Sequence, residues 1–190
     1  MIVALVGKKR SGKDTVANVL VNEYGFVRYG FADPIKIVVK YLFDWNEDHT
    51  NGKLKEIIDS KWGISPRQVM QWFGTEAMQL SICQTFPEFE KVIGRKFWVR
   101  KFVLMYEEQI RETGTALNYV ISDVRFPHEV SELKGTDKVL IVKIERNMNG
   151  FVDTHESERY IDLIEPDIVL HNNSTIENLI EDTRTMMEER

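Results

Sequence analysis

The segment Gly7-Lys8-Lys9-Arg10-Ser11-Gly12-Lys13-Asp14-Thr15 carries the densest chemistry in the chain. Its spacing follows the phosphate-loop pattern G-x-x-x-x-G-K as far as Lys13. It then has Asp14 where Ser or Thr is expected, with Thr15 one place further on. Glycines at 7 and 12 let a turn converge its backbone N–H groups on phosphate oxygens. A helix opening at Lys13 adds the positive end of its dipole. Lys13 supplies a point charge for the β and γ phosphates, and the Thr15 hydroxyl suits Mg2+. Asp14 either holds the loop or orders a water on that metal. Lys9 and Arg10 are phosphate contacts or solvated loop charges, and the residues alone leave both readings open. A plain basic glycine turn is the competing account of the whole segment. Against it, the segment follows the apolar run Ile2–Val6 directly and opens a helical pattern, which is the context the mechanism needs.

A second group of residues suits an acceptor. Asp123 ends the apolar run YVISD. A carboxylate at the C-terminal end of a parallel strand lies beside the phosphate-loop crevice, where it organises Mg2+ or takes a proton; the alternative is a helix N-cap. Arg125, two residues on, can face the same crevice. Lys36, Arg67, Arg125 and Arg146 are candidates for the acceptor phosphate or the transferred group, and arginine suits bidentate phosphate binding. Lys36 and Arg67 fall in the first turns of expected helices, where a cation opposes the helix dipole and so points to another use. Arg146 opens the polar stretch Asn147–Ser157, a candidate flap that includes His155 and Glu156 and continues into Glu158. An arginine there can close on a triphosphate. His155 has no metal-ligand spacing to another His or Cys. Trp98 either stacks on a base or belongs to the core.

The elements that must position these residues read as strands alternating with helices. The runs Ile2–Val6, Tyr119–Ser122, Val139–Ile144 and Asp167–Leu170 are continuously apolar, as in parallel strands covered on both faces. Phe26–Phe31 is a weaker strand. Helical spacing covers Lys13–Tyr24, Asp33–Phe43 with Asp33 as N-cap, Arg67–Phe73 after Ser65-Pro66, about Phe97–Thr113, and Thr175–Glu189. Asp44–Lys53 reads as a loop. The pattern predicts an α/β fold with a doubly wound, mostly parallel sheet flanked by helices.

Composition narrows the function classes. The chain has 190 residues and a formal net charge of −5, without the basic surplus of a protein that grips long nucleic acid. Cys83 is the only cysteine and reads as packing, so no internal disulfide is expected. No apolar run approaches membrane-spanning length and no signal segment is evident. The expectation is a cytoplasmic protein with no membrane or nucleic-acid polymer as partner.

The series GKKRSGKDT, FADPIK, SPRQVMQWFGTE, FWVRKF, VISDVRFPHEV and HESE resembles the deoxynucleoside monophosphate kinases of phage type, in order and spacing over nearly the whole chain. The resemblance implies a single P-loop kinase domain over 1–190, with a helical acceptor-binding region at about 33–115 and a lid at about 146–158. It implies ATP and Mg2+ as cofactors and a deoxynucleoside monophosphate as acceptor. Lys9, Arg10, Ser11, Gly12, Lys13, Asp14, Thr15 and Val16 would bind ATP. Thr15 would ligate Mg2+, with Asp14 or Asp123 acting through water. Ile35, Lys36, Arg67, Gly74, Thr75, Trp98, Asp123, Arg125 and Glu129 would hold the acceptor, and Arg146 would belong to the lid. Lys13, Asp123, Arg125 and Arg146 would form the catalytic set. HNNST, which contains Asn172, resembles the adenine-side loop of related kinases. A homodimer is compatible with the resemblance, and a phage-encoded chain would act in the host cytoplasm. Phosphomevalonate kinase shares the SGKD loop and the SD-x-R block and is the enzyme rival. A guanine-nucleotide switch would carry an NKxD segment, which this chain lacks. A non-catalytic ATP-binding module remains the other alternative.

Overall fold

The computed structural model describes residues 1–136, 138–147 and 160–190. Its contacts divide the chain into two compact units, Met1–Gly30 with Phe102–Arg190, and Phe31–Lys101.

The first unit is built on a parallel sheet. Strands β1 (Ile2–Val6), β2 (Val27–Tyr29), β3 (Tyr119–Val124), β4 (Val139–Glu145) and β5 (Ile168–His171) lie in the order β2-β3-β1-β4-β5, and every neighbouring pair is parallel. All five residues of β1 are fully buried, which explains a run with no polar alternation. On one face Val3 and Leu5 join Val120, Val142 and Ile144. They pack on Val16, Ala17 and Leu20 of α1 (Lys13–Tyr24) and on Leu179 and Met186 of α9 (Ile176–Glu188). Beside the sheet, Phe102 and Tyr106 of α7 (Phe97–Thr113) meet the Tyr119 ring edge-on, at 5.4 and 5.9 Å. Helix α8 (Pro127–Leu133) follows β3.

Strand β3 runs past Ser122 to Val124, so Asp123 sits inside the strand rather than at its end. Ala4 pairs with Ile121 and Val6 with Val124. Two steps along β1 therefore match three along β3. This is a β-bulge at Ser122-Asp123, a device that re-aims side chains beside functional sites.

The second unit is helical. It contains α2 (Asp33–Phe43), α3 (Glu47–Thr50), α4 (Pro66–Gln71), a π-helix over Trp72–Ser81, α5 (Ile82–Thr85), α6 (Pro87–Val92) and the first residues of α7. Three expectations change here. Asp33 is the first helical residue of α2 rather than its N-cap, and its carboxylate holds the Lys36 ammonium at 2.9 Å. The expected loop 44–53 contains α3, because the Asn46 side chain accepts the Asp48 N–H at 3.1 Å and starts a turn. The helix expected over Arg67–Phe73 starts at Pro66 under a Ser65–Gln68 capping box, then changes winding at Trp72. Cys83 is buried, as a packing residue would be.

Phe102 is fully buried and also lies 4.9 Å from the Tyr29 ring. Phe102→Ala should cost about 3–5 kcal/mol of unfolding free energy. Urea unfolding should show this as a lower midpoint with an unchanged slope; a loss under about 1 kcal/mol, below the range for a buried aromatic, would mean that the ring is not a core element.

Candidate active site

The phosphate loop leaves β1 at Gly7 and enters α1 at Lys13. Gly12 has φ 113°, a conformation glycine adopts without strain. A Cβ at that position would lie 2.6 Å from Asn172 Nδ2 and 2.8 Å from Leu179 Cδ2, so space as well as torsion demands glycine. The Ser11 N–H donates to the Lys8 carbonyl at 3.1 Å and closes the turn, with Arg10 left-handed at φ 65°. The Lys13 ammonium donates to the Gly7 and Lys8 carbonyls, which holds it against the loop's own backbone. Among the described residues no side chain caps α1, so its first-turn amides are not taken by a cap. Val16, expected at the nucleotide, is fully buried in the core, whereas Thr15 is half-buried in the first turn.

Asp14 accepts from the Arg28 guanidinium, which also donates to Asn18 Oδ1 at 3.3 Å. Asp14 is therefore a brace between α1 and β2. Lys8 reaches Asp162 at 3.3 Å, and Lys9 is exposed. Arg146 Nη1 donates to the Arg10 carbonyl at 3.4 Å, which ties the end of β4 to the loop. The remainder of the expected lid, from 148 to 158, lies outside the described residues.

Asp123 in the bulge, Arg125 and Glu129 form one electrostatic group. Glu129 is only 7% exposed, and its Oε2 accepts the N–H groups of Arg125 at 2.8 Å and Phe126 at 3.0 Å. It fixes the backbone that carries Arg125. Burial, aided by the nearby Asp123 charge, pushes its pKa to about 8, against the two backbone bonds and the Arg125 guanidinium.

Ile35, Gly74 and Trp98 come together within the helical unit. The Gly74 carbonyl accepts both Trp98 Nε1 at 2.7 Å and Gln79 Nε2 at 3.0 Å. A Cβ on Gly74 would strike Ile35 Cδ1 at 2.7 Å. Trp98 is buried beside Phe73 and Phe97, with its indole engaged in holding the π-turn that carries Gly74 and Thr75. The ring is not laid open for a base. Arg67 pairs with Glu56 and Lys36 with Asp33, so each expected acceptor cation of this unit holds a carboxylate.

Three site-shaping residues lie outside the expected site set: Arg28, Gln79 and Asn172, the last in the HNNST segment that resembles an adenine-side loop. Only Asn172 carries a local signal, a polar pair directly after an apolar strand. It is 7% exposed, and its Nδ2 donates to the Ser11 carbonyl at 2.8 Å.

Glu129 predicts a pH signature. Its folded pKa of about 8 lies above the ordinary 4.5. Between those values the unfolded chain is ionised and the folded one protonated, so stability falls as pH rises through that window. Glu129→Gln keeps the oxygen acceptor and lacks the titration. Denaturation at about pH 5, 6.5 and 8 should find wild type losing stability relative to this variant as pH rises; a constant difference would remove the assignment.

A family model described as deoxynucleotide monophosphate kinase matches residues 1–59 and 46–183. A protein of Acanthamoeba polyphaga mimivirus named for the same activity is 36% identical over 181 residues, covering 93% of this chain and 91% of that one. The deoxynucleotide monophosphate kinase of Enterobacteria phage T4 is 24% identical over 233 residues, covering 94% and 95%. Among solved structures, an unliganded sugar kinase from a Janibacter species shares the fold with TM-score 0.50 at 16% identity, over 98% of this chain and 94% of that one. A match that runs from the phosphate loop through the helical unit to the last helix, together with that level of identity, makes this chain a kinase belonging to the deoxynucleotide monophosphate kinase family.

Proposed function

We propose that the chain transfers the γ-phosphoryl group of ATP to a deoxynucleoside 5′-monophosphate, giving the diphosphate. The observation that carries the reading is the loop between β1 and α1. Gly12 has no room for a side chain, no side chain among the described residues caps α1, and Lys13 is held at the loop backbone. The buried Ser11 hydroxyl has no hydrogen-bond partner among the described residues, a further feature compatible with a polyphosphate in the loop. The family supplies the acceptor class.

The residues present fit Mg2+ as well. This ion takes one or two protein oxygens and completes its shell with water and phosphate oxygens. Thr15 would supply a hydroxyl, and Asp123 would hold a metal-bound water. Mg2+ held there would supply positive charge against the donor phosphates. The chain's own residues do the remaining work. Lys13 neutralises charge on the transferred group, and Arg146, already at the Arg10 carbonyl, lies within reach of the same loop. Arg125, its backbone held by Glu129, would take the acceptor phosphate; Lys36 and Arg67 are the candidates of the helical unit for acceptor binding. Ile35, Gly74 and Thr75 would shape the acceptor pocket. Trp98 would act by fixing Gly74, and Glu129 by fixing Arg125. The acceptor phosphate is already ionised at neutral pH, so no strong base is required and Asp123 acts on the metal or the sugar.

Lys13→Ala should lower turnover at least a hundredfold, roughly the scale for loss of a charge that stabilises the transition state, while far-UV circular dichroism stays unchanged. Near-normal turnover would end the assignment of transfer to this loop. Arg67→Ala and Arg125→Ala should raise the acceptor KM or lower turnover with little change in ATP binding; unaltered acceptor kinetics in both would displace the acceptor site. ATP consumption against a panel of deoxynucleoside monophosphates, ribonucleoside monophosphates and phosphomevalonate tests the acceptor class. Activity with phosphomevalonate alone would overturn it.

A further inference from the structure

Asn172 lies far from the loop in sequence and against it in space. Its Nδ2 donates to the Ser11 carbonyl at 2.8 Å in a buried setting, and the same nitrogen occupies the space a Gly12 side chain would need. Asn172 is itself clamped. Its own N–H donates to the Glu145 carbonyl at 2.7 Å, extending the β4–β5 ladder. The adjoining Asn173 accepts the Asn147 N–H at 2.8 Å through Oδ1. The amide is therefore presented by backbone fixed to the sheet.

The Ser11 carbonyl and the Gly12 N–H belong to one planar trans peptide and point in opposite directions. A donor that fixes the carbonyl also fixes the N–H. Gly12 N–H is one of the loop amides available to a phosphate oxygen, at the mouth of α1. We propose that Asn172 is a positioning residue for the donor polyphosphate, which aims the Gly12 N–H through the Ser11–Gly12 peptide plane and makes no contact with the base. The proposal rests on the donor-binding reading of the loop given above. An amide is the group the geometry requires. A carboxylate at 172 would set oxygen against the Ser11 carbonyl, and an apolar residue would leave that buried carbonyl unpaired.

The test separates phosphate from base. Binding of ATP, ADP and adenosine to the full chain is measured by calorimetry and by competition against ATP turnover, for wild type and Asn172→Asp. Asn172→Ala takes the place of the Asp variant if circular dichroism shows the latter unfolded. ATP and ADP should bind about tenfold or more weakly in the variant, the scale of one lost buried hydrogen bond. Adenosine inhibition and the acceptor KM should stay within about twofold. Equal weakening of all three ligands would make Asn172 a base contact or a general structural residue, and unchanged ADP affinity would remove its role; either overturns the proposal. Failure of wild type to bind ATP would instead sink the reading of the loop itself.

Discussion

Strand β1 is sealed from water on both faces and hydrogen-bonded on both edges, to β3 and β4. Its C-terminal residue Val6 is fully buried and paired with both neighbouring strands, and the phosphate loop starts there. A loop that must hold several N–H groups in convergence gains from an anchor with no competing conformations. The sheet order reverses about this strand, since β2 and β3 lie to one side and β4 and β5 to the other. The crevice at the carboxyl ends of such strands is where open α/β sheets bind their ligands. Asp123 on β3 and Arg146 just past β4 flank the loop because their strands flank β1.

Much of this arrangement was legible in the residues, for a physical reason in each case. A parallel strand covered on both faces must be apolar throughout, so β1, β3 and β4 announce themselves. Gly12 announces itself because no other residue fits its space and torsion. The hidden features depend on comparison between distant segments. The bulge at Ser122-Asp123 exists only when β3 is counted against β1. The π-winding from Trp72 has no distinct local periodicity, and it is held by the Gln79 and Trp98 side chains on Gly74. Trp98 illustrates the ambiguity well, since a large aromatic at helical spacing can face a ligand or the core, and here the indole N–H is spent on a carbonyl. Glu129, which the resemblance places at the acceptor, is buried beneath the backbone it supports.

The cations of the chain share a pattern. Lys8, Arg28, Lys36 and Arg67 each hold a carboxylate, on a chain with more acids than bases. Partly exposed pairs of this kind contribute little to stability, about 0–1 kcal/mol. They keep the long side chains extended and positioned, and a doubly charged phosphate can outcompete a single carboxylate. Arg28 is different in kind, because it joins two elements of the same unit and so acts on the first turn of α1.

The bulge in β3 also bears on how the chain tolerates change in length. Side chains on a strand alternate between faces. Removing one residue from Ser122-Asp123 would restore regular pairing with β1 and keep Val124 opposite Val6, but only one residue would then stand between Ile121 and Val124 where two stand now. The straightened strand would look more regular and would lose either Asp123 itself or the displacement that aims it. Length at this one place is a chemical parameter, as tightly bound to function as the identity of any side chain nearby.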